Sequence, residues 1–188
     1  MSEITEVDYG PLTKLLGIWE GDKGLDVAPE PDGSEENPYY ETITYTAGGD
    51  LTNAKSQVLS VVHYRKIVTR KSNDTIFHDE TGYWMWDPRE KVIMHSLTIP
   101  RAVCLIAGAH YDETKSIDDK LIIEVSAGVD DQDWNIVQSP FMQKNARTTS
   151  FHQKIEVENE KMIYSETTML DIYGRVFEHT DRNELQLQ

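Results

Sequence analysis

From Trp19 onward the chain keeps one habit. β-Branched and aromatic residues recur at every second position, in short runs punctuated by Gly, Pro, Asn and Asp. A period of two sends alternate side chains to opposite faces of a sheet. A chain that holds it almost throughout has no helical layer against which a sheet could bury its apolar face. Such a sheet has to cover itself, by closing into a barrel or by stacking as two layers.

Ten runs carry the pattern: Trp19 to Val27, Tyr39 to Ala47, Gln57 to Thr69, Thr75 to Trp86, Lys91 to Leu97, Ala102 to Tyr111, Lys120 to Gly128, Arg147 to Val157, Lys161 to Leu170 and Arg175 to Leu187. Most are joined by short turns. Asp87-Pro88-Arg89-Glu90 has Pro at the second turn position, where its fixed φ suits a type I turn, and Asn73-Asp74-Thr75 reads as another hairpin turn. Sequential antiparallel neighbours with hidden edges predict an all-β fold, an antiparallel up-and-down β-barrel of about ten strands, similar to lipocalins and fatty-acid-binding proteins. A two-sheet sandwich is the alternative. Pro11 to Leu16, with Leu12, Leu15 and Leu16 on one face, predicts a short N-terminal helical turn closing one end.

Two connections stand apart. Ala28 to Pro38, acidic and carrying three prolines, is expected to be a solvated loop that does not pair. Val129 to Ala146 mixes Asp130, Asp131 and Asp133 with Trp134 and Phe141. It reads as a long connection without regular structure, either a binding loop or lid or a packed surface loop.

At 188 residues the chain fits a single β-barrel domain over 1–188, residues 1–10 forming an N-terminal extension. Its 33 acidic against 18 basic residues give a net charge of −15, which repels nucleic acid and anionic membrane surfaces. Met1 to Glu6 shows neither the basic nor the apolar part of a leader, and no apolar run is long enough for a membrane span. A cytoplasmic protein is the simplest expectation. The lone Cys104, between Val103 and Leu105, is expected to be a small buried hydrophobe. The sequence does not fix the oligomeric state, and a homodimer is open to it.

The chain lacks the phosphate-cradling glycine loop, the nucleophile elbow, the His-Glu-x-x-His pair and the paired cysteines of common catalytic and metal motifs. Three short segments remain. Gly17-Ile18-Trp19-Glu20-Gly21 offers a large indole to plug a barrel end. His78-Asp79-Glu80-Thr81-Gly82-Tyr83 places His78, Glu80 and Gly82 on one strand face, as either a pocket or an architectural polar cluster. Val176-Phe177-Glu178-His179 opens the last strand, with Phe177, His179 and Asp181 on one face.

In that order the three segments resemble the nitrobindin family of haem-binding β-barrels, over roughly Leu15 to Leu187. The resemblance implies a ten-stranded barrel and haem b as cofactor, with His179 as the proximal iron ligand. It also implies a reaction of ferric haem with nitrogen oxides, including isomerisation of peroxynitrite to nitrate. The expected pocket residues are His179, Phe177, Trp19, His95 and Tyr45, with Ile43, Ile93 and Leu97 also facing inward. The expected function is a pocket protein for a small, largely apolar ligand, most simply haem, with a haem-free carrier of a fatty acid or other hydrophobic metabolite as the alternative. Enzymatic activity is left open.

Overall fold

A computed structural model of the chain describes residues 7–116 and 120–188. The extension assigned to residues 1–10 therefore lies, for residues 1–6, outside the described residues. The strands are β1 (Gly17–Glu30), β2 (Gly33–Asn53), β3 (Gln57–Arg70), β4 (Ile76–Asp87), β5 (Val92–Ile99), β6 (Val103–His110), β7 (Leu121–Gly128), β8 (Ile136–Gln138), β9 (Ala146–Glu158), β10 (Lys161–Ile172) and β11 (Arg175–Leu187). Ten of them close an antiparallel ring, β1 through β7 in order and then β9, β10 and β11, with β11 returning to β1. The barrel expected from the period-two pattern is thus present. β8 lies outside the ring, paired to β6 through Val103 opposite Gln138.

One end is sealed. A 3₁₀ helix at Gly10–Leu15 lays Leu12 and Leu15, both fully buried, across the bottom, and the Trp19 indole N–H donates to the Leu15 carbonyl at 2.7 Å. Above this plug the lower lumen is filled with apolar side chains, among them Ile43, Val62, Trp84, Ile93 and Leu185. No helix of the described residues is long and apolar enough to cross a membrane.

Four expectations need correction. Ala28 to Pro38 does pair: β1 and β2 continue into a hairpin with Ala28 opposite Glu35 and Pro29 opposite Ser34. β1 meets β11 only as far as Val27, so beyond it the hairpin has one ladder, where a proline without an N–H is tolerated. β2 likewise runs past Ala47, where its pattern was expected to end, to Asn53, the extra residue absorbed by a bulge with φ of +85° at Gly49. The long connection Val129 to Ala146 contains β8 and a helix, α1 (Pro140–Asn145), capped by the Ser139 hydroxyl accepting from the Met142 N–H at 3.3 Å. Cys104 is exposed, because Val103 and Leu105 take the inward positions on either side of it.

A one-residue bulge between Gly21 and Gly24 shifts β1 against both of its neighbours. It brings Gly24 beneath the Tyr39 ring, so close that a Cβ at Gly24 would lie 2.0 Å from Cε2 of that ring. Below the bulge Trp19 belongs to the apolar plug. Above it β1 delivers Asp26 to a polar upper lumen.

Candidate functional site

The upper lumen is built around a buried ammonium. Lys66, from β3, has its Nζ 3.2 Å from Asp181 Oδ2, 3.5 Å from Glu41 Oε1 and 4.0 Å from Glu166 Oε2, over the face of the Tyr164 ring. Burial works against its charge, but Asp181, Glu166 and Glu41 outweigh it and hold the amine protonated, its pKa well above the ordinary lysine value. Tyrosines and amides satisfy the carboxylates. Tyr164 donates to Glu41 Oε1 at 2.8 Å, Asn183 donates to Glu41 Oε2 at 2.8 Å, and the Tyr39 hydroxyl bonds both Tyr164 and Asp181.

A second chain of polar groups runs beside this tier. His95 Nε2 lies 2.8 Å from the Tyr64 hydroxyl, Tyr64 donates to Glu80 Oε1 at 2.5 Å, and His78 Nε2 meets Glu80 Oε2 at 3.2 Å. Burial pushes His95 down to about 4, which keeps it neutral. Burial alone would raise Glu80, but the His78 hydrogen bond and the Lys66 charge bring it down to about 2. For Glu166 burial wins over Lys66 and moves the carboxyl up to about 8. Glu41 is raised by burial in the same way, against the opposing pull of Lys66.

Toward the open end the groups become accessible. The side chain of His179 is 32% exposed, His78 27%, Asp181 16% and Glu166 14%, against 3% for Lys66. His179 Nε2 lies 2.5 Å from Asp26 Oδ1, and Asn37 donates to Asp26 Oδ2 at 3.2 Å. Burial disfavours the imidazolium, but the hydrogen bond and charge of Asp26 prevail and raise its pKa. At the rim Arg175 reaches over the Phe177 ring and donates to the carbonyls of Glu30 and Gly33, tying the β10–β11 hairpin to the β1–β2 hairpin.

The expected pocket residues separate into levels. Trp19 and Tyr45 lie in the apolar lower lumen, 1% and 5% exposed. His95 sits above them, stacked on Trp84 with ring centroids 4.0 Å apart. Phe177 and His179 are half-buried at the mouth. Tyr83, on the opposite strand face of the mid-chain segment, is on the outer wall at 47% exposure, while His78 faces the lumen. Sequence reading missed Asp26, Asn37, Glu41, Lys66, Gln153, Glu166 and Asn183 as site residues. Charged and amide side chains recurring at inward positions of otherwise apolar strands were the available signal. Among the described residues no group of three or more His, Cys, Asp and Glu side chains could hold a metal ion. On the outer wall beside the β1 bulge a groove of about 660 Å³ is lined partly by Lys23, Lys161 and Glu184, which pair with one another. Its lining includes none of the mouth groups Asp26, His78, Glu166, His179 and Asp181.

No curated protein matches the sequence. Among solved structures, Rv2717c from M. tuberculosis has the same fold, with a TM-score of 0.68 at 18% identity, covering 96% of this chain and 99% of that one. Residues 8–186 match the model of the THAP4-like, heme-binding beta-barrel domain, and the chain belongs to that family.

Proposed function

We propose that the protein binds a small molecule in the upper lumen, entered through the open mouth and stopped below by the Lys66 tier. The observation that carries this reading is the asymmetry of the barrel. One end is plugged by Leu12, Leu15 and Trp19, while at the other solvent reaches inward-facing polar groups as deep as Glu166. Closed barrels of about this strand number can enclose one small ligand. Native mass spectrometry of freshly purified protein is expected to show a retained small-molecule mass, and the same spectrum counts subunits and tests the homodimer. A ligand-free mass that also fails to take up haem or an alkyl probe overturns the reading.

Haem is the second reading, favoured by family membership and by the position of His179 on the inward face near the end of the chain. The residues as arranged do not fit an iron ligand. His179 Nε2 is engaged by Asp26 at 2.5 Å, and Asp26 raises the imidazole pKa, which favours the protonated ring that has no lone pair to offer iron. The surface below it is a tier of carboxyls, not an apolar slot for a porphyrin. Reactivity toward nitrogen oxides rests on the haem reading and has no separate support in this chain's side chains. Titration with ferric haem decides. A Soret band that His179→Ala abolishes would establish the ligand despite Asp26, and no Soret band leaves a haem-free binding protein.

A further inference from the structure

We infer that the floor of the upper lumen recognises the cationic, hydrogen-bond-donating head of an alkylammonium-type ligand, and not the carboxylate of a fatty acid. The inference rests on the ligand-binding reading above and narrows its ligand class. It starts from an imbalance. Three carboxyl groups, Glu41, Glu166 and Asp181, converge on one ammonium, and Lys66 is already shared among all three. Two imidazoles that face the same lumen are engaged as well, His179 by Asp26 and His78 by Glu80. At the tier itself an entering carboxylate would meet no unpaired positive partner and would add a fourth acidic group. Like charges at this range cost more as water is excluded. Arg70 and Arg175, which have no carboxylate partner among the described residues, lie higher, over the Phe77 and Phe177 rings at the mouth end.

The second observation is independent of charge. Gln153, on β9 and only 7% exposed, donates from Nε2 to Glu166 Oε2 at 3.1 Å, and its Oε1 is buried with no hydrogen-bond partner. A buried amide oxygen left without a donor is uncommon in folded proteins. Both contacts of Glu166 in the tier fall on Oε2, so when the carboxyl is ionised its Oε1 is a further acceptor on a side chain that is 14% exposed. An alkylammonium carries three N–H donors on one compact head. Placed beside Glu166 it supplies a donor to the carboxyl and one toward the Gln153 oxygen, while its chain extends toward Leu170 and Phe177, which lie on the inward faces of β10 and β11 below and at the mouth. A protein of net charge −15 also draws cations toward this opening.

The test uses the full chain and three probes of one length: octylamine, protonated at neutral pH as a lysine is, octan-1-ol and octanoate. Binding is measured by isothermal titration at moderate salt and at about pH 9, above the raised Glu166 pKa of about 8, where the carboxyl is ionised and the amine keeps its proton. Octylamine is expected to bind at least about tenfold tighter than octanoate, with octanol between them, and Glu166→Gln is expected to erase the amine's advantage over octanol while leaving octanol binding in place. Because Glu166→Gln could disturb the tier, Gln153→Leu is the companion variant, and it too should reduce the preference for amine over octanol. Octanoate binding as tightly as the amine, or an amine preference that survives both variants, overturns the inference and leaves the ligand-binding reading intact. Failure of all three probes to bind, together with a ligand-free native mass and no uptake of haem, overturns both.

Discussion

Gly24 is held by its neighbour, since a Cβ there would strike the Tyr39 ring at 2.0 Å, and the Tyr39 hydroxyl joins Tyr164 to Asp181 in the polar tier. Gly24→Ala is expected to destabilise the fold by about 1–3 kcal/mol through overpacking, read from urea denaturation. A change within about 0.5 kcal/mol, the range of neutral surface substitutions, would mean that the ring yields freely. His95 and Glu166 give stability opposite dependences on pH. Burial lowers His95 from 6.5 to about 4, so as pH falls from 6.5 the unfolded chain takes up a proton that the folded chain refuses. The contribution of His95 is complete above that window and lost within it. Burial raises Glu166 from 4.5 to about 8, so its contribution is complete below 4.5 and lost as pH rises through 8. His95→Phe, which keeps a ring against Trp84, should flatten the acid limb of a stability–pH profile, and Glu166→Gln the alkaline limb. Unchanged limbs would remove these residues as the cause. The inward place of His95 was legible from its alternation with Ile93 and Leu97. Its bond to Tyr64 was not, because that partner lies 31 residues away on another strand.

At the scale of elements, the strands were legible wherever alternation was clean, and β11 runs over the residues its pattern marked, Arg175 to Leu187. The misread stretch, Ala28 to Pro38, fails for a physical reason. Proline counts against a strand only where its missing N–H faces a partner, and which side has a partner is a property of the whole sheet. The same limit hid β8, whose three residues acquire their identity from β6 and not from their own pattern. The two hairpins at the mouth are tied by Arg175, which donates to the Glu30 carbonyl at 2.8 Å and to that of Gly33. Arg175→Ala is expected to speed amide hydrogen exchange across Ser34 to Glu36 by roughly tenfold, the equivalent of one charge-assisted hydrogen bond. Amides of the core strand β7 should be unaffected. Equal acceleration in both places would mean that Arg175 supports the whole barrel and not only its rim.

For the whole molecule, the plug and the ring are coupled. Leu12→Ala is expected to cost about 2–5 kcal/mol, the range for emptying a packed leucine site, and to make the lower tryptophans more accessible to a quencher such as acrylamide. A loss below 1 kcal/mol would show that the 3₁₀ helix only rests on the barrel. The closed ring followed from the sequence because an all-antiparallel chain has few other ways to hide its edges, whereas the polar tier did not, because Lys66, Glu41, Glu166 and Asp181 come from four strands that alternation reads one at a time. Closure also sets an order in time. The ring is completed by its first strand pairing with its last, β1 with β11. During synthesis β1 waits with one open edge while the strands between it and β11 emerge, a long-range pairing of the kind that folds slowly. Asp26 has no imidazole and Lys66 no Asp181 until residues 175 to 187 have left the ribosome. The polar tier is therefore absent until the walls are complete, and a nascent barrel cannot hold a molecule above it.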